Sequence, residues 1–223
     1  MNLNRRDVLQ GVLAGGVSLQ ISRALAADQS AVKAGLVKMN GDVQINGKKA
    51  RLGQTVAPGD TVATGPQGEA VYVMGKDAYL LRSNSTISYS GNNLVTTGLR
   101  LLTGKVLAVF GTGKKRIETA SATIGIRGTG CYIESEPDKI YFCLCYGAAD
   151  VVPTGDPSQA RELTSNHHDQ PYYIALADPQ ALIRPADPAN HDDLELTMLE
   201  ALVGRLPPFL DAQGSSGYRS GRY

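Results

Sequence analysis

The chain has 223 residues, with 22 basic against 21 acidic side chains, three cysteines, three histidines and no tryptophan. That near-neutral balance excludes the basic excess that nucleic acid or an anionic membrane surface would call for. The length suffices for one sizeable core, or a core with an appendage.

The first 26 residues read as a leader rather than as part of the fold. Arg5-Arg6 precede a moderately apolar run from Val8 to Ile21, and Ala24-Leu25-Ala26 forms a small-x-small cleavage site. This is the layout of a secretory signal, and the twin arginines resemble the Tat type. The run is too short and too rich in Gly and Ser to span a bilayer, which needs about 20 apolar residues. The expected location is therefore periplasmic or otherwise exported, with no integral membrane span. Cleavage before Ala27 leaves 19 basic against 20 acidic residues, a net charge of −1.

From Val37 to Asp150, short apolar runs alternate with turn signals. "DVQI-NG-KKARL" is a hairpin around Asn46-Gly47, a pair suited to a type I′ turn. "AVYVMGKDAYLLR" repeats the pattern around Gly75-Lys76-Asp77. "GLRLLTGKVLAVFGTGKKRIET" suggests two strands separated at Thr103-Gly104, then another after Lys114-Lys115-Arg116, which reads as a solvated hairpin tip. No run keeps the 3.6-residue helical period. The expected fold is all-β, an antiparallel sandwich or roll, with a small helical appendage at the C-terminus.

Several stretches together resemble the FecR domain family. They are "NGDVQINGKKARLGQTVAPGDTVATGPQGEAVYVM", "NSTI" at 84–87, "LLTGKV" at 101–106 and "ETASATIGIRGTGCYI" at 118–133. The resemblance covers roughly residues 36–134. It departs from the family where an aromatic usually follows Arg-Gly-Thr, since this chain has Cys131 and then Tyr132. The family resemblance implies a regulator that senses a periplasmic signal and passes it inward to a sigma factor. A leader takes the place of a cytoplasmic anti-sigma segment and membrane helix, so the expectation is a stand-alone domain for which sigma-factor signalling is unlikely. Its partner would be an unknown envelope protein or ligand. Within Arg127-Gly128-Thr129, Gly should supply an unusual backbone conformation and Arg fork-like hydrogen bonds to a carboxylate or carbonyls.

"GTGCYIESEPDKIYFCLCYG", residues 128–147, holds all three cysteines. Pro137-Asp138 marks a turn between two β-rich flanks, and Cys143 and Cys145 share one face of their strand. If Glu134 faces Lys139, Cys131 falls opposite Phe142 with Ile133 and Ile140, away from the Cys-x-Cys pair. Another loop length would set Cys131 opposite Cys143. Hydrophobic matching favours the first register.

Three readings of the thiols compete. They are small buried hydrophobes, a disulfide from Cys131 to Cys143 or Cys145, or a metal site for Cu or Zn. The last would combine Cys131, Cys143 and Cys145 with His167 or His168 of the polar stretch "SNHHDQP". A Tat-type leader adds weight to the metal site, because that route exports folded proteins. The metal site is the leading expectation, and an interaction module stapled by a Cys131 disulfide is the alternative.

"ANHDDLELTMLEALVGRLPPF", residues 189–209, carries a helical stripe of Leu194, Met198, Leu199, Leu202 and Leu206. Asn190 is the expected cap, with Asp192 and Asp193 in the first turn. His191 beside it is a weaker ligand candidate. The organisation expected is thus a leader (1–26), a β domain with the Cys hairpin (36–152), a loop-rich segment with the His pair (153–188), a helix (189–209) and a disordered tail (210–223). No catalytic signature appears: no nucleophile elbow, no phosphate loop at a helix start, no His-Glu-x-x-His. A Cys-His nucleophilic pair is the one enzymatic arrangement the residues allow, and the expectation is a non-enzyme.

Overall fold

The computed structural model describes residues 34–92, 95–178 and 181–211, so the leader and residues 212–223 of the expected tail lie outside the described residues. Strands dominate, in one large and mostly antiparallel sheet with two short helices near the C-terminus. They are β1 (Gly35–Asn40), β2 (Val43–Ile45), β3 (Lys48–Lys49), β4 (Thr61–Thr64), β5 (Glu69–Met74), β6 (Asp77–Leu81) and β7 (Thr86–Asn92). Then come β8 (Val95–Val109), β9 (Lys114–Glu118), β10 (Ala122–Ser135), β11 (Lys139–Pro153), β12 (Arg161–Ser165), β13 (Pro171–Ala175) and β14 (Ile183–Pro185). Helices α1 (Asp193–Leu202) and α2 (Pro208–Asp211) follow, the latter including Leu210 and Asp211 of the expected tail.

The turns form where the residues permit them. Asn46 and Gly47 both have left-handed backbones, φ 53° and 71°, as a type I′ hairpin requires. Thr103-Gly104, in contrast, does not separate two strands. β8 runs through it: the register against β7 slips by one residue at Leu102, Gly104 (φ 87°) pairs with Ser135 of β10, and the Ser85 hydroxyl accepts from the Lys105 amide at 2.8 Å. Lys114-Lys115-Arg116 is likewise not a solvated tip. It opens β9, and Lys115 makes a 2.9 Å ion pair with buried Asp77.

β6, β8, β10 and β11 form the middle of the sheet and are buried on both faces, so their apolar residues divide by parity. One face sends Tyr79, Leu81, Val106, Ala108, Cys131, Ile133, Ile140, Phe142 and Leu144 into the main core. The other sends Ala78, Leu80, Leu107, Val109, Tyr132, Tyr141, Cys143 and Cys145 into a second core under the helices. In the β10–β11 hairpin the Glu136 amide donates to the Lys139 carbonyl, which places the turn one residue later than Glu134 facing Lys139 would. Cys131 therefore stands opposite Leu144 rather than Phe142. The shift in pairing is two residues, so every side chain keeps the face that hydrophobic matching assigns it.

The segment expected to be loop-rich carries three strands. β12 and β13 both pair with β11, and β14 extends β13. Ile183–Pro185, within that segment, is a strand as well. In α1 the cap is Asp192, whose side chain accepts from the Glu195 amide while Glu195 returns the bond. Asn190 instead has φ 63° and donates to Glu134 at 2.6 Å. Leu196, Leu199 and Leu202 face the sheet and Leu194 is exposed, which moves the stripe by two residues at its start. The helix ends in a Schellman motif, with Gly204 (φ 74°) donating to Ala201 and Arg205 to Glu200. Burying the three leucines contributes about 1.5–3 kcal/mol each to docking. No helix among the described residues is long and apolar enough to cross a membrane.

Candidate metal centre

Four side chains from three parts of the chain converge between the sheet and α1. Cys143 and Cys145 project from β11 toward the helix, as their shared parity dictates. His168 lies in the tight turn between β12 and β13. There the Asp169 carboxylate accepts from the Asn166 amide at 2.7 Å, and the His168 amide donates to the Cys145 carbonyl at 2.9 Å. His168 itself has φ 53°, a left-handed backbone uncommon outside Gly but one that His, like Asn and Asp, adopts more readily than other residues. His191 sits just ahead of α1, its ring stacked on Tyr132 at 4.7 Å.

The donor atoms of Cys143, Cys145, His168 and His191 all lie within 4.8 Å of one another, and all four residues are buried. Cys143 Sγ is 3.5 Å from His168 Nδ1, which is 3.0 Å from His191 Nε2. The outward nitrogens are held as well. His191 Nδ1 lies 2.7 Å from the Ala189 carbonyl, and His168 Nε2 lies 3.2 Å from Asp193 Oδ1. A carbonyl and a carboxylate only accept, so these nitrogens carry hydrogen. In neutral rings the lone pairs of His168 Nδ1 and His191 Nε2 then point at each other and at the sulfurs, an arrangement that calls for a proton or a metal cation between them. Carboxylate–histidine and carbonyl–histidine pairs of this kind orient metal-binding imidazoles.

The electrostatics agree. The Cys143 thiol is held well below the ordinary thiol range, first by the Cys145 thiol beside it and then, against the effect of burial, by His168 and His191. Burial and then the Cys143 sulfur push Cys145 up. Burial opposes charge on His168, but Asp193 and Cys143 outweigh it and raise its pKa to about 9. Burial also opposes charge on Asp193, yet His168 and His167 keep its carboxyl below the ordinary range. Two sulfurs and two imidazole nitrogens match the tetrahedral S2N2 preference of Zn(II) and suit soft Cu(I).

The five residues expected at a metal site separate. Cys143, Cys145 and His168 come together. His167 turns outward, its Nε2 2.8 Å from Asp193 Oδ1 and its ring 4.3 Å from that of Phe209. With His168 and Asp193 it forms a second, adjoining group. Cys131 lies on the opposite face of the sheet in the main core. All three cysteines are free, and facing opposite sides sets Cys131 apart from the other two. His191 takes the fourth place, and Asp193 links both histidines of the turn. No local spacing announces either residue, because their position depends on how α1 docks.

Cys143, His168 and Asp193 also stand in nucleophile–base–orienter order. Cys143 is fully buried beneath α1, so a substrate has no path to its sulfur in this conformation. Arg127 does not form the fork that its motif suggested. It makes one 3.2 Å ion pair with Asp150, and both side chains are about half exposed.

Residues 60–150 match the family described as FecR protein. No curated protein matches the chain. Two crystal structures, at 1.65 and 2.50 Å resolution, of a candidate anti-sigma factor from Parabacteroides distasonis ATCC 8503 are similar to it. For each, identity is 9%, the TM-score 0.46, and the match covers 57% of this chain and 59% of the other. The expectation that sigma-factor signalling is unlikely is corrected by the family match, since FecR-type domains point toward that signalling. The expectation rested on what precedes the domain, and where a chain begins carries no such conclusion.

Proposed function

We propose, from the match of residues 60–150 to the FecR protein family, that the protein is an exported metal-binding or metal-sensing member of the FecR type. Cys143, Cys145, His168 and His191 would hold one Zn(II) or Cu(I) ion. The observation that carries the reading is the pair of imidazole nitrogens, 3.0 Å apart, fixed by Ala189 and Asp193 on the far sides of their rings and flanked by two cysteine sulfurs. Bound there, the ion would draw the negative charge of the thiolates into a closed set of ligands. Closed four-ligand sites are structural or sensory, while catalytic zinc keeps a position for water. We therefore infer a binding role over nucleophilic catalysis, and the burial of Cys143 supports the same choice. In a FecR-type protein such a site would supply the signal relayed toward a sigma factor.

The test is elemental analysis of the exported protein, purified without a histidine tag, with thiol titration of the same sample. One zinc or copper per chain, with Cys143 and Cys145 protected from thiol reagents until the ion is chelated, is the expected result. Absence of metal after reconstitution with either ion refutes the reading.

A further inference from the structure

The ligands come from two bodies. Cys143 and Cys145 belong to β11, and His168 is tied to β11 through its amide on the Cys145 carbonyl. His191 belongs to the strap that leads into α1. That strap crosses the sheet on a few polar contacts. The Ala186 amide donates to Pro171, the Tyr141 hydroxyl donates to the Asp187 carbonyl at 3.2 Å and accepts from the Ala189 amide at 3.0 Å, and Arg82 reaches the Asn190 carbonyl at 2.8 Å. Two residues past His191, Asp193 begins α1 and faces both histidines of the β12–β13 turn. The next turns bring Leu196, Leu199 and Leu202 onto the sheet face made by Val71, Val73, Leu80, Leu107, Val109 and Tyr146.

We propose that the ion is a clasp: metal loading and docking of the C-terminal helical segment form one coupled equilibrium, with His191 as the coupling ligand. The inference rests on the metal reading above. With an ion in place, lifting the strap breaks one of four bonds to it. Without an ion, what holds His191 to the site is its 3.0 Å contact with His168 and its stacking on Tyr132, and it can swing outward once these part. In that movement Asn190 (φ 63°) would give up its side-chain bond to Glu134 and the Arg82 bond to its carbonyl. Release of α1 bares the apolar sheet face beneath it. A sensor needs two arrangements that differ in affinity for its ligand, and a docked and a released α1 provide them.

Hydrogen exchange of the full chain, read by mass spectrometry with and without zinc, tests the coupling. Linkage makes the slowing of local opening equal to the ratio of zinc affinities of the docked and released forms. Peptides covering α1 should exchange ten times more slowly or better at saturating zinc, while those covering β2 and β4 should change less than twofold. Calorimetry on the same sample records stoichiometry. Zinc bound one to one with unchanged α1 exchange overturns the clasp and leaves the metal reading standing. Absence of binding by zinc and by Cu(I) alike overturns both. The variant His191→Ala keeps three ligands, so it should still take up zinc more weakly while its α1 exchange no longer responds. A response of wild-type size in that variant overturns the role of His191.

Discussion

Replacing Asp193 with asparagine removes one negative charge while keeping the size of the side chain, and it acts on the site through the imidazoles rather than by contact with the ion. Asp193 Oδ1 lies 2.8 Å from His167 Nε2 and 3.2 Å from His168 Nε2, and its side chain is only 15% exposed. Outer carboxylates that orient ligating histidines are worth about 10–100-fold in metal affinity. That is roughly 1.4–2.8 kcal/mol at 1.4 kcal/mol per factor of ten. A second effect falls on folding alone, because an acid in the first turn of a helix contributes about 0.3–1 kcal/mol. Asp192, the cap, is untouched. Competition against a zinc chelator of known affinity measures the first effect, and urea unfolding of the metal-free protein the second. The expected result is one zinc per chain, bound 10–100 times more weakly. An affinity within threefold of the parent would show that Asp193 does not set the tautomer of His168, and the lone-pair argument would fail.

Other consequences follow from the same geometry. Cys131→Ala should keep one zinc per chain with affinity within about threefold, since Cys131 faces the main core, at a cost of about 1 kcal/mol in urea unfolding for the small void left there. A large loss of zinc would place Cys131 among the ligands. Zinc binding at pH 7 should expel about two protons, one from His168, whose pKa is raised to about 9, and one from the elevated Cys145 thiol, while Cys143 enters as thiolate. Calorimetry in buffers of different ionisation enthalpy counts them. Affinity should climb as pH rises from 6 toward 9. In the metal-free protein the sign is opposite for His168: its stabilising contribution is full below its unfolded value near 6.5 and fades as pH rises through about 9. Gly204→Ala should cost about 1–2 kcal/mol in the same unfolding assay, because φ 74° at the helix end is left-handed and disfavours any Cβ even though open space surrounds the position. A loss below 0.3 kcal/mol, on the order expected of a neutral surface change, would contradict the Schellman ending.

Much of the β architecture was legible because its signals are local. Asn46-Gly47 can hardly be anything but a tight turn, and the parity of Cys131 against Cys143 and Cys145 follows from matching apolar faces even though the register differs by two. Thr103-Gly104 misled for a physical reason: Gly104 lets the strand pass close against Ser85, whose hydroxyl takes the Lys105 amide, and Ser85 lies nearly twenty residues away. β12 to β14 were hidden because pairing of β12 and β13 with β11, and of β14 with β13, supplies order that Pro157, Pro171 and Pro185 argue against locally. The site was half legible. Cys-x-Cys and the His-His pair marked three of its ligands, whereas His191 and Asp193 become part of it only through the seating of α1, which no short-range pattern encodes. His167, the more prominent in sequence, turns away because the Asp169-capped turn gives the inward position to His168.

The most direct measurement is X-ray absorption at the zinc edge on the reconstituted full-length protein. The account predicts two sulfur ligands at about 2.3 Å and two nitrogen ligands at about 2.0–2.1 Å, with imidazole scattering from both nitrogens. A first shell of three sulfurs, or of oxygen and nitrogen alone, would contradict the Cys143–Cys145–His168–His191 assignment.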